Sequence, residues 1–249
     1  MTQSNSVPST PPKSIFSIQT DNVRALEKAW EQGNRLLNES LRSQNQDAIS
    51  IQTKLMALLF SSYTEAIFSK LIHTPHALTQ SEINTLKSKF KSNSYQGWVK
   101  CLKVIVNKIS AKDQSYKDKV IADVTTLLKN YIKEPSEVRN RMVHGQWITA
   151  LTTDNTKINN DLSAKIGMLD IITLTRYKKS FTLLSLIIED LVESPNKAHI
   201  NTYQDKINKF NQEQMKMASW TLADRINKLK PKPRLCVNCK TTLSGGIIF

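Results

Sequence analysis

Cysteine is scarce in this chain, with three in 249 residues at positions 101, 236 and 239. Three cannot build the disulfide framework on which small secreted domains rely. Glycine occurs only 6 times and proline 8 times, with several of the prolines towards the ends. So few chain-breaking residues across a long middle argue against many short strands and leave long helices. There is no Gly-rich phosphate loop and no nucleophile with an evident base beside it, so phosphate-loop and triad chemistry drop out. No uninterrupted apolar run approaches the roughly 18 residues of a membrane span. The Ser-, Thr- and Pro-rich start also lacks the basic and then apolar order of a signal peptide. These absences predict a reduced, cytoplasmic protein with no membrane segment.

Acidic residues are outnumbered too, 21 Asp and Glu against 35 Lys and Arg, for a formal net charge of +14. Such an excess favours polyanionic partners, because neutralising phosphates releases condensed counterions. Charge alone also fits a merely soluble basic protein, or one that pairs with an acidic protein. The imbalance is marked late in the chain, where eight Lys or Arg face three acids between Asp205 and Arg234.

What is present in quantity is helical periodicity. Residues 1–19, with Pro8, Pro11 and Pro12 among Ser, Thr and Gln, read as a disordered leader that cannot bury enough surface to offset chain entropy. From Asp21, the residues Val23, Leu26, Trp30, Leu37 and Leu41 recur at helical spacing. A second helix is expected from about Ser50 to His73, with Ile51, Leu55, Leu58, Leu59, Tyr63 and Ile67 on its apolar face. A short helix follows Thr79, and stripes through Trp98–Ile109 and Val120–Tyr131 give two more. Glu134-Pro135-Ser136-Glu137 reads as a new helix start, since proline is tolerated in a first turn and acids complement the dipole. Gly145 is the natural stop. Residues 152–160 form a loop, and Ile166–Val192 is the long central apolar helix, ended by Pro195. A single basic helix is expected over about 198–229. The fold class is therefore an all-α helical bundle, with the bundle at 20–195, a basic C-terminal helix at 196–230 and a Pro/Cys tail at 231–249.

One segment carries chemistry. RNA cleavage without a metal needs a group to take the 2′-hydroxyl proton or to protonate the leaving oxygen. It also needs a cation where charge develops on the phosphate. In Arg139-Asn140-Arg141-Met142-Val143-His144, imidazole suits the first task and guanidinium the second. Five residues on one helix put Arg139 and His144 about 140° apart, so a single helix is a poor site. Two copies meeting across a two-fold axis could line a common cleft, each supplying part of it. A purely structural reading also fits: a surface helix with Glu137 and Arg141 paired at i,i+4 and His144 as C-cap.

This segment resembles the ribonuclease motif of the HEPN superfamily, in which an arginine, commonly followed by a polar residue, precedes a histidine by four to six intervening positions. Ser62-Tyr63-Thr64-Glu65-Ala66 is similar to early helices of such families, and the apolar helix after the motif fits the next bundle element. The resemblance covers about residues 20–195. It implies a dimeric helical bundle acting as a metal-independent endoribonuclease, of the toxin or abortive-infection defence type, with an inhibitory or activating protein partner. It implies Arg139 and His144 as the catalytic pair, Asn140 shaping the site, and Glu65 and Arg141 in supporting roles, with no cofactor for catalysis. The alternative is a non-catalytic helical module that binds nucleic acid or a partner protein.

Two further features stand apart from the motif. Cys236-Val237-Asn238-Cys239 looks like half of a zinc ribbon, and tetrahedral zinc needs four ligands. Either two tails share one structural zinc across a dimer, or the ligand set is incomplete. Lys228, Lys230, Lys232 and Arg234 are candidate RNA contacts through phosphate, with Trp220 and Tyr203 available for stacking or for packing.

Overall fold

Ser14 starts the first helix: held extended, its hydroxyl accepts from the Ser17 amide, and α1 runs from Ile15 to Arg42. A computed structural model describes residues 13–230 and, as backbone, the short strands at 234–235 and 242–243. Residues 1–12 of the expected leader lie outside the described residues, and residues 15–19 of it are helical. The helix begins before Asp21 because the cap satisfies an orphan amide of the first turn.

Side-chain caps open most of the later helices as well. Asn45 caps α2 (Gln46–Ile72), and Thr79 with Glu82 forms a capping box on α3 (Gln80–Ser92). Asn93 caps α4 (Ser94–Val106) and Asp113 caps α5 (Gln114–Leu128). α6 is Glu134–Val143; Asn159 caps α7 (Asn160–Gly167) and Asp170 caps α8 (Ile171–Glu193). α9 is Ala198–Ala218, and Thr221 caps α10 (Leu222–Leu229). The all-α class holds. Among the described residues, extended pairing is confined to β1 (Arg234–Leu235), antiparallel with β2 (Thr242–Leu243), and an isolated bridge between Leu151 and Ile158.

α8 is the hub. Phe181, fully buried, receives the rings of Phe60 and Tyr63 from α2 and Trp98 from α4, all edge-on at centroid distances of 5.7–6.1 Å. Phe68 extends the cluster, stacking on Phe90 of α3 at 4.1 Å. α2 is long and apolar enough to cross a membrane by length and composition, yet 61% of its most apolar window is buried within the bundle. Its buried face comprises Met56, Phe60, Tyr63, Ile67, Phe68 and Leu71; Ile51 and Leu55, expected there, are exposed.

Several expected boundaries move. Glu134-Pro135 opens α6 as expected, but not from a free N-terminus, because α5 runs into α6 through a π-turn at Lys129–Lys133. Proline lacks an amide hydrogen, and its ring crowds the carbonyl four residues back. The wider turn, in which the Glu134 amide donates to the Lys129 carbonyl, lets the chain pass Pro135 without breaking. The expected helix Ile166–Val192 is two helices, α7 and α8, because the Asp170 carboxylate accepts from the Thr173 amide and starts a new one. The expected basic helix is likewise divided at Ser219–Thr221 into α9 and α10. Tyr203 and Phe210 of α9 are buried in the same core as α8.

A polar contact is sealed between α5 and α9. His199 is 1% exposed, its Nε2 3.1 Å from the Tyr116 hydroxyl, while the Tyr203 hydroxyl donates to Asp123 at 3.1 Å. Burial lowers the His199 pKa to about 4. The unfolded chain therefore takes up this proton first, so the contribution is complete above about pH 6.5 and is lost as pH falls towards 4. Between pH 7 and 5 the wild type should lose about 1–2 kcal/mol that a His199→Gln variant does not lose. Urea midpoints at both pH values measure this, and parallel losses in the two proteins would refute it.

Candidate functional site

α6 is short, and its two faces differ. Val138 and Met142, one turn apart, are buried, while Ser136, Arg139 and Asn140 face an open cleft of about 480 Å³. The opposite wall is the α3–α4 turn, with Lys91, Asn93 and Ser94, and Glu65 of α2 lies between the walls. Gly97 lets this wall close up: a Cβ there would lie 2.6 Å from the Phe90 Cα.

Arg139 is held from two sides. Its Nη2 donates to Glu65 Oε1 at 2.9 Å and its Nη1 to Asn140 Oδ1 at 3.2 Å. Glu65 and Arg139 are 39% and 32% exposed, and a pair so open to water contributes about 0–1 kcal/mol. Its effect is on direction: it fixes where the guanidinium points rather than binding α2 to α6. Asn140 serves the same end from the neighbouring position.

His144 lies elsewhere. It is the C-cap of α6, exposed, and does not line the cleft. Along the helix axis it is about 7.5 Å beyond Arg139, and about 140° around it. Gly145 follows with φ +80°; its amide donates to the Met142 carbonyl and the Gln146 amide to that of Arg141. This 5→2 and 6→1 pair of bonds is a Schellman motif, which needs a left-handed residue at that position. The Trp147 indole also donates to the Met142 carbonyl, at 2.8 Å, so the turn bearing His144 is fixed from both ends.

Of the remaining candidates, Arg141 is half-buried and contributes its carbonyl to that motif. It is not paired with Glu137, as i,i+4 spacing suggested; Glu137 instead reaches back to Lys133 at 3.9 Å. Lys228 and Lys230 are exposed at the end of α10, far along the chain from the cleft. Lys232, Cys236 and Cys239 lie outside the described residues, and of Arg234 only the backbone pairing with Leu243 is described. Among the described residues, no three His, Cys, Asp or Glu side chains cluster as metal ligands. Cys101 is fully buried, which pushes its thiol up to about 12 and leaves it a packing residue.

The structure thus brings together Arg139, Asn140 and Glu65, and sets His144 apart from them. The α3–α4 wall escapes the sequence because its residues lie at the junction of two helices, far along the chain from the motif. Asn93, one residue before the Trp98 stripe begins its helix, was the available signal. Comparison of the chain with protein-family models, with curated proteins and with solved structures returned no match.

Two measurements bear on this geometry. A double-mutant cycle of Glu65→Gln and Arg139→Gln, read by urea unfolding, should give a coupling below about 1 kcal/mol. A coupling of several kcal/mol would make the pair a structural clamp. Gly145→Ala, with nothing within 4 Å of the added Cβ, should cost about 1–2 kcal/mol through left-handed strain alone. An unchanged melting temperature would contradict that.

Proposed function

We propose that this chain is a HEPN-type, metal-independent endoribonuclease, acting as a homodimer at a composite site. Arg139 stabilises charge developing on the scissile phosphate, and Asn140 and Glu65 hold its guanidinium in place. His144 handles the proton, taking it from the 2′-hydroxyl or giving it to the departing 5′-oxygen. The 2′-oxygen bonds to phosphorus as the P–O5′ bond breaks, leaving a cyclic phosphate and a free 5′-hydroxyl. A role as a toxin or phage-defence effector, under the control of a protein inhibitor or activator, fits such an activity.

The observation that carries this reading is the exposed position of His144 beside apolar side chains open to water. Val143 is 54% exposed and Ile148 82%, flanking the turn that bears the histidine. Exposed apolar groups around a catalytic candidate are what a symmetric interface would cover. One helix keeps Arg139 and His144 apart, and a second copy supplies the missing half. The Arg139–Glu65 ion pair favours the rival reading of a non-catalytic binding module, since it gives the arginine a structural partner.

The decisive experiment incubates the purified protein with total and transfer RNA in EDTA, beside Arg139→Ala and His144→Ala. The wild type should cut and each variant should lose at least a hundredfold in rate. Mixing the two inactive variants should restore about a quarter of the wild-type rate, because only mixed dimers carry one intact composite site. No recovery on mixing would place both groups in one subunit. RNA retention without cleavage by any of the three would favour the binding module.

A further inference from the structure

The elbow between α9 and α10 opens onto a groove of about 810 Å³, lined on one side by α8 and on the other by Trp220, Arg225 and Lys228. No residue of α10 is fully buried, so this helix forms a rim and not a lid.

The elbow is held from below. Arg176 Nη2 donates to the Trp220 carbonyl at 2.6 Å and to the Ala218 carbonyl at 3.3 Å, which fixes the indole-bearing residue at the groove. Lys179 Nζ lies 4.8 Å from the centre of the Trp220 ring, covering one face of it. Arg225 is anchored by amide oxygens only, its Nε and Nη2 donating to Asn38 Oδ1 and its Nη2 to Asn34 Oδ1 at 2.9–3.2 Å. Among the described residues, neither Arg176 nor Arg225 has a carboxylate partner. The one acid in the lining, Asp224, is engaged by the hydroxyl of Thr221 at the start of α10.

A half-buried guanidinium without a counter-ion, beside an indole already flanked by ammonium, is a site with surplus positive charge and a flat apolar surface. Aromatic rings stack on any base, and cations alongside them take the backbone. We propose that this groove binds a nucleoside phosphate, as part of a single strand, with the base against Trp220 and the phosphates at Arg225 and Lys228. The site is separate from the Arg139 cleft and does not depend on that cleft being catalytic. Under the function proposed above, it gives the strand a point of attachment besides the Arg139 cleft.

The test uses the full chain carrying Arg139→Ala and His144→Ala, so that cleavage does not interfere. A short fluorescent, 2′-O-methylated oligoadenylate is titrated by anisotropy, and the same strand carrying 4-thiouridine is cross-linked and mapped. Trp220→Ala should weaken binding roughly tenfold, Trp220→Phe should retain most of it, and Lys228→Glu should weaken it while flattening the salt dependence. Thermal melts confirm that each variant is folded, and the cross-link should fall within the α9–α10 elbow. Displacement by millimolar AMP would support the same chemistry with a free nucleotide as the source, and persistence of binding would support the strand. Unchanged affinity in Trp220→Ala, a cross-link elsewhere, or equal binding of oligoglutamate irrespective of Trp220 would overturn the proposal.

Discussion

The bundle depends on the burial of one ring. Phe181 lies where α2, α4 and α8 meet, and three aromatic rings approach its edge or face. Each such pair contributes about 0.5–1.5 kcal/mol beyond the area it buries, and the geometry sets angles as well as energy. Glu65 follows Tyr63 by two residues on α2, so the helix that is locked to Phe181 also carries the carboxylate that orients Arg139. The α3–α4 wall is tied into the same cluster through Phe90 and Phe68. Core packing thus positions both walls of the cleft, and the exposed ion pair between them only sets the final direction.

The positive charge is not all available to a partner. Lys178 is turned inward against Tyr63, 4.4 Å from the ring centre, where burial lowers its pKa. Lys70 pairs with Glu189, and Lys108 with Glu82. These lysines serve packing between helices. Arg176 and Arg225 at the α9–α10 elbow are of another kind, because their partners among the described residues are carbonyl and amide oxygens, which leave their charge uncompensated.

The helical class was legible because the apolar periods in this chain are long and glycine is rare. The central role of the region around Phe181 followed from the long apolar run Ile166–Val192 that contains it. The stop at Gly145 was readable too, since a left-handed residue after a helix has few candidates. What escaped were decisions made by single side chains. Asp170 starts a new helix inside what reads as one apolar run, and Ser14 starts one inside a leader. Pro135 was legible as a first-turn proline, but not the π-turn before it, whose backbone bond from Glu134 to Lys129 joins α5 to α6 without a free helix end. The separation of Arg139 from His144 was visible in the helical spacing, whereas the cleft facing Arg139 depends on residues some 45 positions earlier that no local pattern connects to it.

The π-turn has a consequence for the bearing of everything after it. Such a turn is an α-helix carrying one residue more than the regular ladder accommodates, and each residue advances the helix by about 100°. The extra residue near Lys129–Lys133 therefore sets the rotational phase of α6 against α5. With Val120, Val124 and Leu128 fixed in the core upstream, a regular ladder would turn Arg139 by about a quarter of a revolution from the wall that carries Glu65. Which side of α6 presents the arginine to the cleft thus depends on an extra residue two turns away, before Glu65 sets the guanidinium's final direction, and a change in the length of that helix would turn it from the wall.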